Sequence, residues 1–252
     1  MLIIKNETDI AQIYISGDII DDADANWIKF WAEDITGYEF PKDIKEQLDA
    51  VKDKPLDIYI NSYGGSVSAG LAIANMIKRH KAKTTAIVDA YCCSIATQIF
   101  FSADVCRMPK NTYLMVHKPI TFEAGNADDF RKTADILDKI QRGLEITYQD
   151  KKKDNVTNEQ ITKMLNEETW FTGDEAAEYF DIELMEPLKA VNCAGSLEKL
   201  KALNYKKIPE ILKFKDDENQ NPPSILFEQQ NKQEKEKRQI ELAIARARGM
   251  LI

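Results

Sequence analysis

Along most of this chain, short apolar runs alternate with stripes of apolar residues at helical spacing. Residues 2–4 and 12–16 read as short strands, the second ending at Gly17-Asp18. Asp21, Asp22 and Asp24 then supply a cap and first-turn carboxylates for a helix carrying Trp27, Ile28, Phe30 and Trp31. The helix dipole explains this acidic start better than metal binding does. Pro41 opens a second helix, with Ile44, Leu48 and Val51 on one face. A buried strand over 56–60 runs into Asn61-Ser62-Tyr63-Gly64-Gly65-Ser66, and a helix over 67–77 ends in the basic run Lys78-Arg79-His80-Lys81.

The same alternation continues with an apolar strand over 84–88 and a buried helix over 96–101. Two further strands, 105–108 and 113–116, are parted by Pro109-Lys110-Asn111, and the second delivers His117. A long amphipathic helix over 127–152 places Phe130, Ala134, Leu137, Ile140, Leu144 and Tyr148 on one face, a stripe suited to a core or a subunit interface. Helices over 159–165 and 174–179 flank Asn166-Glu167-Glu168-Thr169-Trp170-Phe171-Thr172. Alternation of this kind predicts an α/β architecture.

Beyond about Pro187 the pattern changes. Lys and Glu become frequent, residues 216–224 read as a linker, and 229–248 is a charged helical pattern with little apolar face. The chain therefore divides into a domain over 1–188 and a charged, mostly helical extension over 189–252. Such a segment is either a solvated tail or a partner-binding helix.

Length and composition narrow the function. The 252 residues, 44% hydrophobic and 30% charged, suffice for one sizeable core with an appendage. No apolar run approaches the roughly 18 residues of a membrane span, and Met1 to Glu7 lack the features of a secretory signal, so no membrane role is expected. Cys92, Cys93, Cys106 and Cys193 show neither metal-ligand spacing nor disulfide-scaffold density, which predicts reduced thiols in the cytoplasm and no metal. A net charge of -8 offers no basic excess for phosphates, so no nucleic-acid partner is expected. The Gly64-Gly65 turn lacks the remainder of a phosphate-binding loop, which argues against a nucleotide.

Candidate chemistry centres on Ala90-Tyr91-Cys92-Cys93-Ser94-Ile95-Ala96-Thr97, a strand-to-helix passage that can expose a serine hydroxyl above free N–H groups. Small residues there also serve plain close packing. Serine needs a base to take its proton and donors to hold an oxyanion. Of the two histidines, His80 lies in a basic helix end and His117 ends an apolar strand, so His117 is the candidate base. Gly64-Gly65 can present bare N–H groups. Glu167, Glu168, Asp174 and Asp181 are all candidates for the orienting carboxylate by order alone. Cys93 is an alternative nucleophile.

Four ordered segments resemble the Clp peptidase family, ClpP, across about residues 10–186. Ile-Asn-Ser-Tyr-Gly-Gly-Ser-Val-Ser-Ala-Gly (60–70) is similar to its Asn-Ser-Pro-Gly-Gly signature, and Tyr-Cys-Cys-Ser-Ile-Ala to its Ala-Ala-Ser-Met nucleophile segment. Leu-Met-Val-His-Lys-Pro resembles its Met-Ile-His-Gln-Pro, and Glu-Thr-Trp-Phe-Thr-Gly-Asp-Glu-Ala-Ala-Glu-Tyr resembles the stretch that carries its acid. The resemblance implies Ser94 as nucleophile, His117 as base, Glu168 as acid, and an oxyanion hole from the backbone N–H groups of Gly65 and Ile95. Departures are a Glu in place of Asp at the third position, cysteines before the serine, and Tyr63 in place of a proline.

The resemblance also implies a ClpP/crotonase-like fold of repeated β-β-α units with stacked sheets, a serine endopeptidase needing no cofactor, polypeptide substrates, and a homo-oligomeric ring, a heptamer or stacked heptamers. The early first strand and the C-terminal extension look more like phage and prophage head maturation proteases, which cut scaffold and capsid proteins. That subtype implies ATP-independent cleavage in the bacterial host cytoplasm or within the prohead. Two rival readings are a non-catalytic ring-forming scaffold that keeps the protease fold, and a general ClpP-type peptidase working with an ATPase.

Overall fold

The computed structural model describes residues 9–32, 35–187 and Tyr205. Their centre is a largely parallel sheet in the order β2-β1-β3-β4-β5-β8. Its strands are β1 (Ala11–Ile19), β2 (Tyr38–Glu39), β3 (Leu56–Gly65), β4 (Thr84–Cys93), β5 (Val105–Pro109) and β8 (Glu183–Met185). Between them run α1 (Asp22–Trp31), α2 (Pro41–Ala50), α3 (Val67–Lys78) and α4 (Ala96–Phe100). Crossover helices of this kind are what parallel strands require.

Two strands show how burial sets the architecture. Ile13, Ile15, Leu56, Ile58 and Ile60 point alternately into the core from β1 and β3, the period-2 pattern of strands covered mainly on one face. Residues 84–88 of β4 are buried at every position, as expected for a strand covered on both faces. β4 is also where the sheet forks. Its first half pairs with β5, and Tyr91, Cys92 and Cys93 pair instead with β6 (Tyr113–Val116), which carries β7 (Thr169–Thr172) antiparallel on its far side.

The remaining helices are α5 (Ala127–Lys151), α6 (Asn158–Glu167) and α7 (Gly173–Tyr179). α5 and α6 open with capping boxes, Asn126 with Asp129 and Thr157 with Gln160, which satisfy N–H groups that have no intrahelical partner. Along the α5 stripe, Leu144 and Tyr148 are buried, whereas Phe130 is 50% exposed. The C-terminal half of this helix therefore packs on the core, and its first half is uncovered among the described residues.

Several boundaries differ from those expected. β1 does not stop at Gly17-Asp18; a register shift between Ser16 and Asp18 carries the strand on to Ile19. β3 and β4 likewise run beyond their apolar stretches, to Gly65 and Cys93. The short edge strands β2 and β8 have no periodicity of their own and are held by pairing with β1 and β5. Asp21 caps α1 without a side-chain bond, because its carboxylate accepts from Ser66 Oγ at 2.6 Å and Ser68 Oγ at 2.7 Å. The expected strand over 2–4, linker over 216–224 and helix over 229–248, together with the boundary at 188/189, lie outside the described residues.

Candidate active site

Three neighbouring strand ends build the site. β4 ends at Cys93, and Ser94 turns out of the sheet with φ 55°. Such a backbone is costly for a residue with a Cβ and persists only where the surroundings hold it. Here the Ser94 N–H donates to the Met115 carbonyl of β6 at 2.8 Å. The Ser94 carbonyl accepts from Thr97 N at 3.0 Å and from Thr97 Oγ1 at 2.6 Å. With its one proton so used, Thr97 Oγ1 must accept from the Tyr148 hydroxyl, 2.5 Å away. The buried half of α5 thus buttresses the turn, a role for Thr97 and Tyr148 that no motif signalled.

β6 ends one residue before His117, whose Nε2 lies 2.7 Å from Ser94 Oγ. The structure brings together the two side chains that sequence order and chemistry had paired across 23 positions. On the other side, β7 pairs antiparallel with β6, Val116 opposite Thr169. Continuing that register by one residue sets His117 opposite Glu168, which caps α6 at φ 52° and is 8% exposed. The Glu168 charge raises the proton affinity of His117, but burial lowers it more, so the imidazole titrates below its ordinary value of 6.5. Glu167 faces elsewhere, its side chain 50% exposed and 3.9 Å from Lys163 Nζ. Asp174 and Asp181 are placed in α7 and just after it, and Asp181 N–H donates to the Lys151 carbonyl.

The third strand end is that of β3. Gly64 and Gly65 have φ of 100° and 148°, values that favour glycine. A Cβ on Gly64 would lie 2.7 Å from Ser94 Cβ and 3.3 Å from Ile95 N, so the glycine turn lies directly against the serine and the next N–H. Ile95 begins the turn into α4, where N–H groups lack intrahelical acceptors. Cys93 is wholly buried and its thiol pushed far up by burial, which removes the thiolate a cysteine nucleophile needs. His80 is held by a 2.9 Å contact of Nε2 with the Lys54 carbonyl, away from this site. Among the described residues no cluster of metal ligands occurs.

One further side chain enters the site. Tyr205 is 9% exposed, its hydroxyl donating to the Tyr63 carbonyl. Its ring meets His117 edge-on at 5.3 Å and Trp170 at 6.0 Å. Nothing in the charged C-terminal pattern distinguishes this tyrosine.

A hydroxyl lies within bonding distance of an imidazole beside a glycine turn, and similarity to known proteins gives the lineage. Residues 38–182 match the family model described as Clp protease. This chain belongs to the Clp protease family. It is 33% identical over 132 residues to the ATP-dependent Clp protease proteolytic subunit 1 of Streptomyces coelicolor, spanning 50% of this chain and 58% of that protein. It is 33% identical over 138 residues to the ATP-dependent Clp protease proteolytic subunit of Lactococcus lactis, spanning 53% and 68%. Against the Streptomyces avermitilis subunit 3 the match spans 63% of the relative, so the alignments with the two Streptomyces Clp proteins cover about three-fifths of their length. A mutant ClpP1 protein from Listeria monocytogenes shares the fold, with a TM-score of 0.54 at 22% identity over 69% of this chain and 91% of that one. The α/β fold expected from the motifs is thus the fold of the Clp family.

Proposed function

We propose that this chain is a serine endopeptidase of the Clp type in which Ser94 is the nucleophile, His117 the general base and Glu168 the residue that orients the imidazole. The 2.7 Å approach of His117 Nε2 to Ser94 Oγ carries the reading. In the proposed cycle, Ser94 Oγ attacks the scissile carbonyl carbon while its proton passes to His117 Nε2. The carbonyl oxygen becomes an oxyanion held by the N–H groups of Gly65 and Ile95. Collapse breaks the C–N bond, and His117 returns the proton to the leaving amine. Water, deprotonated by His117, then attacks the acyl-enzyme, releasing the new carboxyl end and restoring the serine. No step calls for a metal or a nucleotide.

The proposed substrates are polypeptides, and the proposed working form is a ring of identical chains. Support for self-association comes from α5, where Phe130, Ile136 and Ile146 are 50%, 54% and 58% exposed, apolar surface that a second copy would cover. The finer proposal, ATP-independent cleavage of phage scaffold and capsid proteins in the host cytoplasm, draws support from the 183–252 stretch. It lies outside the family match, and its Tyr205 reaches the site. Among the described residues no helix is long and apolar enough to cross a membrane.

A fluorophosphonate probe followed by peptide mapping tests the catalytic assignment. Labelling is expected on Ser94 and is expected to vanish in Ser94→Ala and fall by about 10²- to 10⁴-fold in His117→Ala. Labelling that persists in Ser94→Ala would remove the assignment.

A further inference from the structure

Tyr205 lies 23 residues beyond the last residue matched to the Clp protease model, yet it is buried among site residues. It forms a cluster with Tyr63, Cys93 and Met115, against which Tyr91, Tyr113 and Trp170 pack. The pocket is aromatic and apolar, with the Tyr63 carbonyl as a polar anchor for the phenol. Pockets of this make-up bind flat side chains ending in a donor.

We propose that Tyr205 is an internal ligand of the substrate site, a tyrosine from the chain's own extension seated where an aromatic residue of a polypeptide substrate binds, and that its presence slows the peptidase by competing with substrate. The proposal rests on Ser94 being the nucleophile, as argued above. Space supports it, since the ring sits edge-on to His117, beside the hydroxyl that a substrate carbonyl must approach to about 3 Å. The phenol is anchored by donating to the Tyr63 carbonyl. A tethered occupant competes at an effective concentration of the order of millimolar, so even a weak contact excludes dilute substrate. The same pocket, once vacated, should select aromatic side chains, tyrosine first.

The test uses the full chain and two readouts. In a Ser94→Ala background, binding of N-acetyl-tyrosine amide is measured by calorimetry with Tyr205 present and with Tyr205→Ala. In the Ser94 background, the rate of fluorophosphonate labelling is compared between the same two side chains at position 205. Vacating the pocket is expected to tighten binding and to speed labelling, each by about tenfold or more, the equivalent of ~1.4 kcal/mol. Tyr205→Phe keeps the ring and removes only the hydroxyl, and a smaller rise in labelling is expected from it. Unchanged binding and labelling in a Tyr205→Ala chain that keeps its circular dichroism would overturn the proposal. If that chain does not fold, a Tyr205→Phe chain labelled no faster than the parent does the same. Labelling absent from every chain, with the gain in binding still present, supports the internal ligand and sinks the serine peptidase reading instead.

Discussion

At His117, two opposing influences set the working pH. Burial disfavours the imidazolium, the Glu168 carboxylate favours it, and burial is the larger, leaving the proton affinity below the ordinary 6.5. Only the neutral ring can accept the Ser94 proton, so kcat/KM is expected to stay level from pH 8 to about 6.5 and to fall at lower pH. Glu168→Gln removes the influence that raises the affinity, so the acid limb moves to still lower pH while the plateau drops by roughly tenfold or more. Glu167→Gln, on the solvent-facing side chain near Lys163, leaves both unchanged. A pH series on the three proteins checks this; an acid limb that moves up in Glu168→Gln, or moves only in Glu167→Gln, would contradict it. Ser94 and His117 were legible because chemistry limits the choices: two histidines, one after an apolar strand, and a serine between a strand and a buried helix. Order alone left four carboxylates open, and it is the pairing of β7 with β6 that sets Glu168 opposite His117. Tyr205 was illegible, since only a contact across 142 positions with Tyr63 gives it meaning.

The elements that position these residues owe their reach to pairing as much as to hydrophobicity. β3 carries the polar run from Asn61 to Gly65 because β1 and β4 flank it and supply partners, Ile19 opposite Gly65 and Cys92 opposite Ser62. Period-2 reading stops at Ile60, where the apolar residues stop, and so misses the half of the strand that forms the site. Gly65 shows how tight this construction is. A Cβ there would stand 2.0 Å from the Ile19 carbonyl oxygen at a φ of 148°, so β1 would have to shift. Gly65→Ala is therefore expected to destabilise the fold by at least ~1–3 kcal/mol and to lower Tm by about 2–4 °C for each kcal/mol lost. Calorimetric melting of the purified variant measures this, and an unchanged Tm would mean that the glycine turn is looser than described. α5 was legible in length and stripe, but not in how the stripe divides. Leu144 and Tyr148 enter the core, and Tyr148 reaches Thr97 behind Ser94, whereas Phe130 has no cover among the described residues.

Across the whole molecule, the fork at β4 links fold to chemistry. Its first half belongs to the sheet that holds the core, and its second half hands over to β6 and β7, so the serine, histidine and glutamate all arise where strands separate. Strand-helix alternation made the α/β class readable, whereas the fork left no trace in any single run of residues, because it is a choice of partner. The extension beyond Pro187 read as a solvated or partner-binding segment, yet one of its residues, Tyr205, lies edge-on to His117. Membership of the Clp family, the proposed peptidase activity and the proposed internal tyrosine together describe a centre that is covered by its own chain. The central claim, a covalent acyl-enzyme on Ser94, is tested most directly by rapid-quench intact-mass spectrometry of the Tyr205→Ala chain mixed with the p-nitrophenyl ester of N-acetyl-tyrosine. An acetyl-tyrosyl adduct is expected to accumulate in a burst, map to the peptide containing Ser94, and be absent when Ser94→Ala is added. A burst whose adduct maps elsewhere, or ester turnover that continues unchanged without the serine, would contradict it.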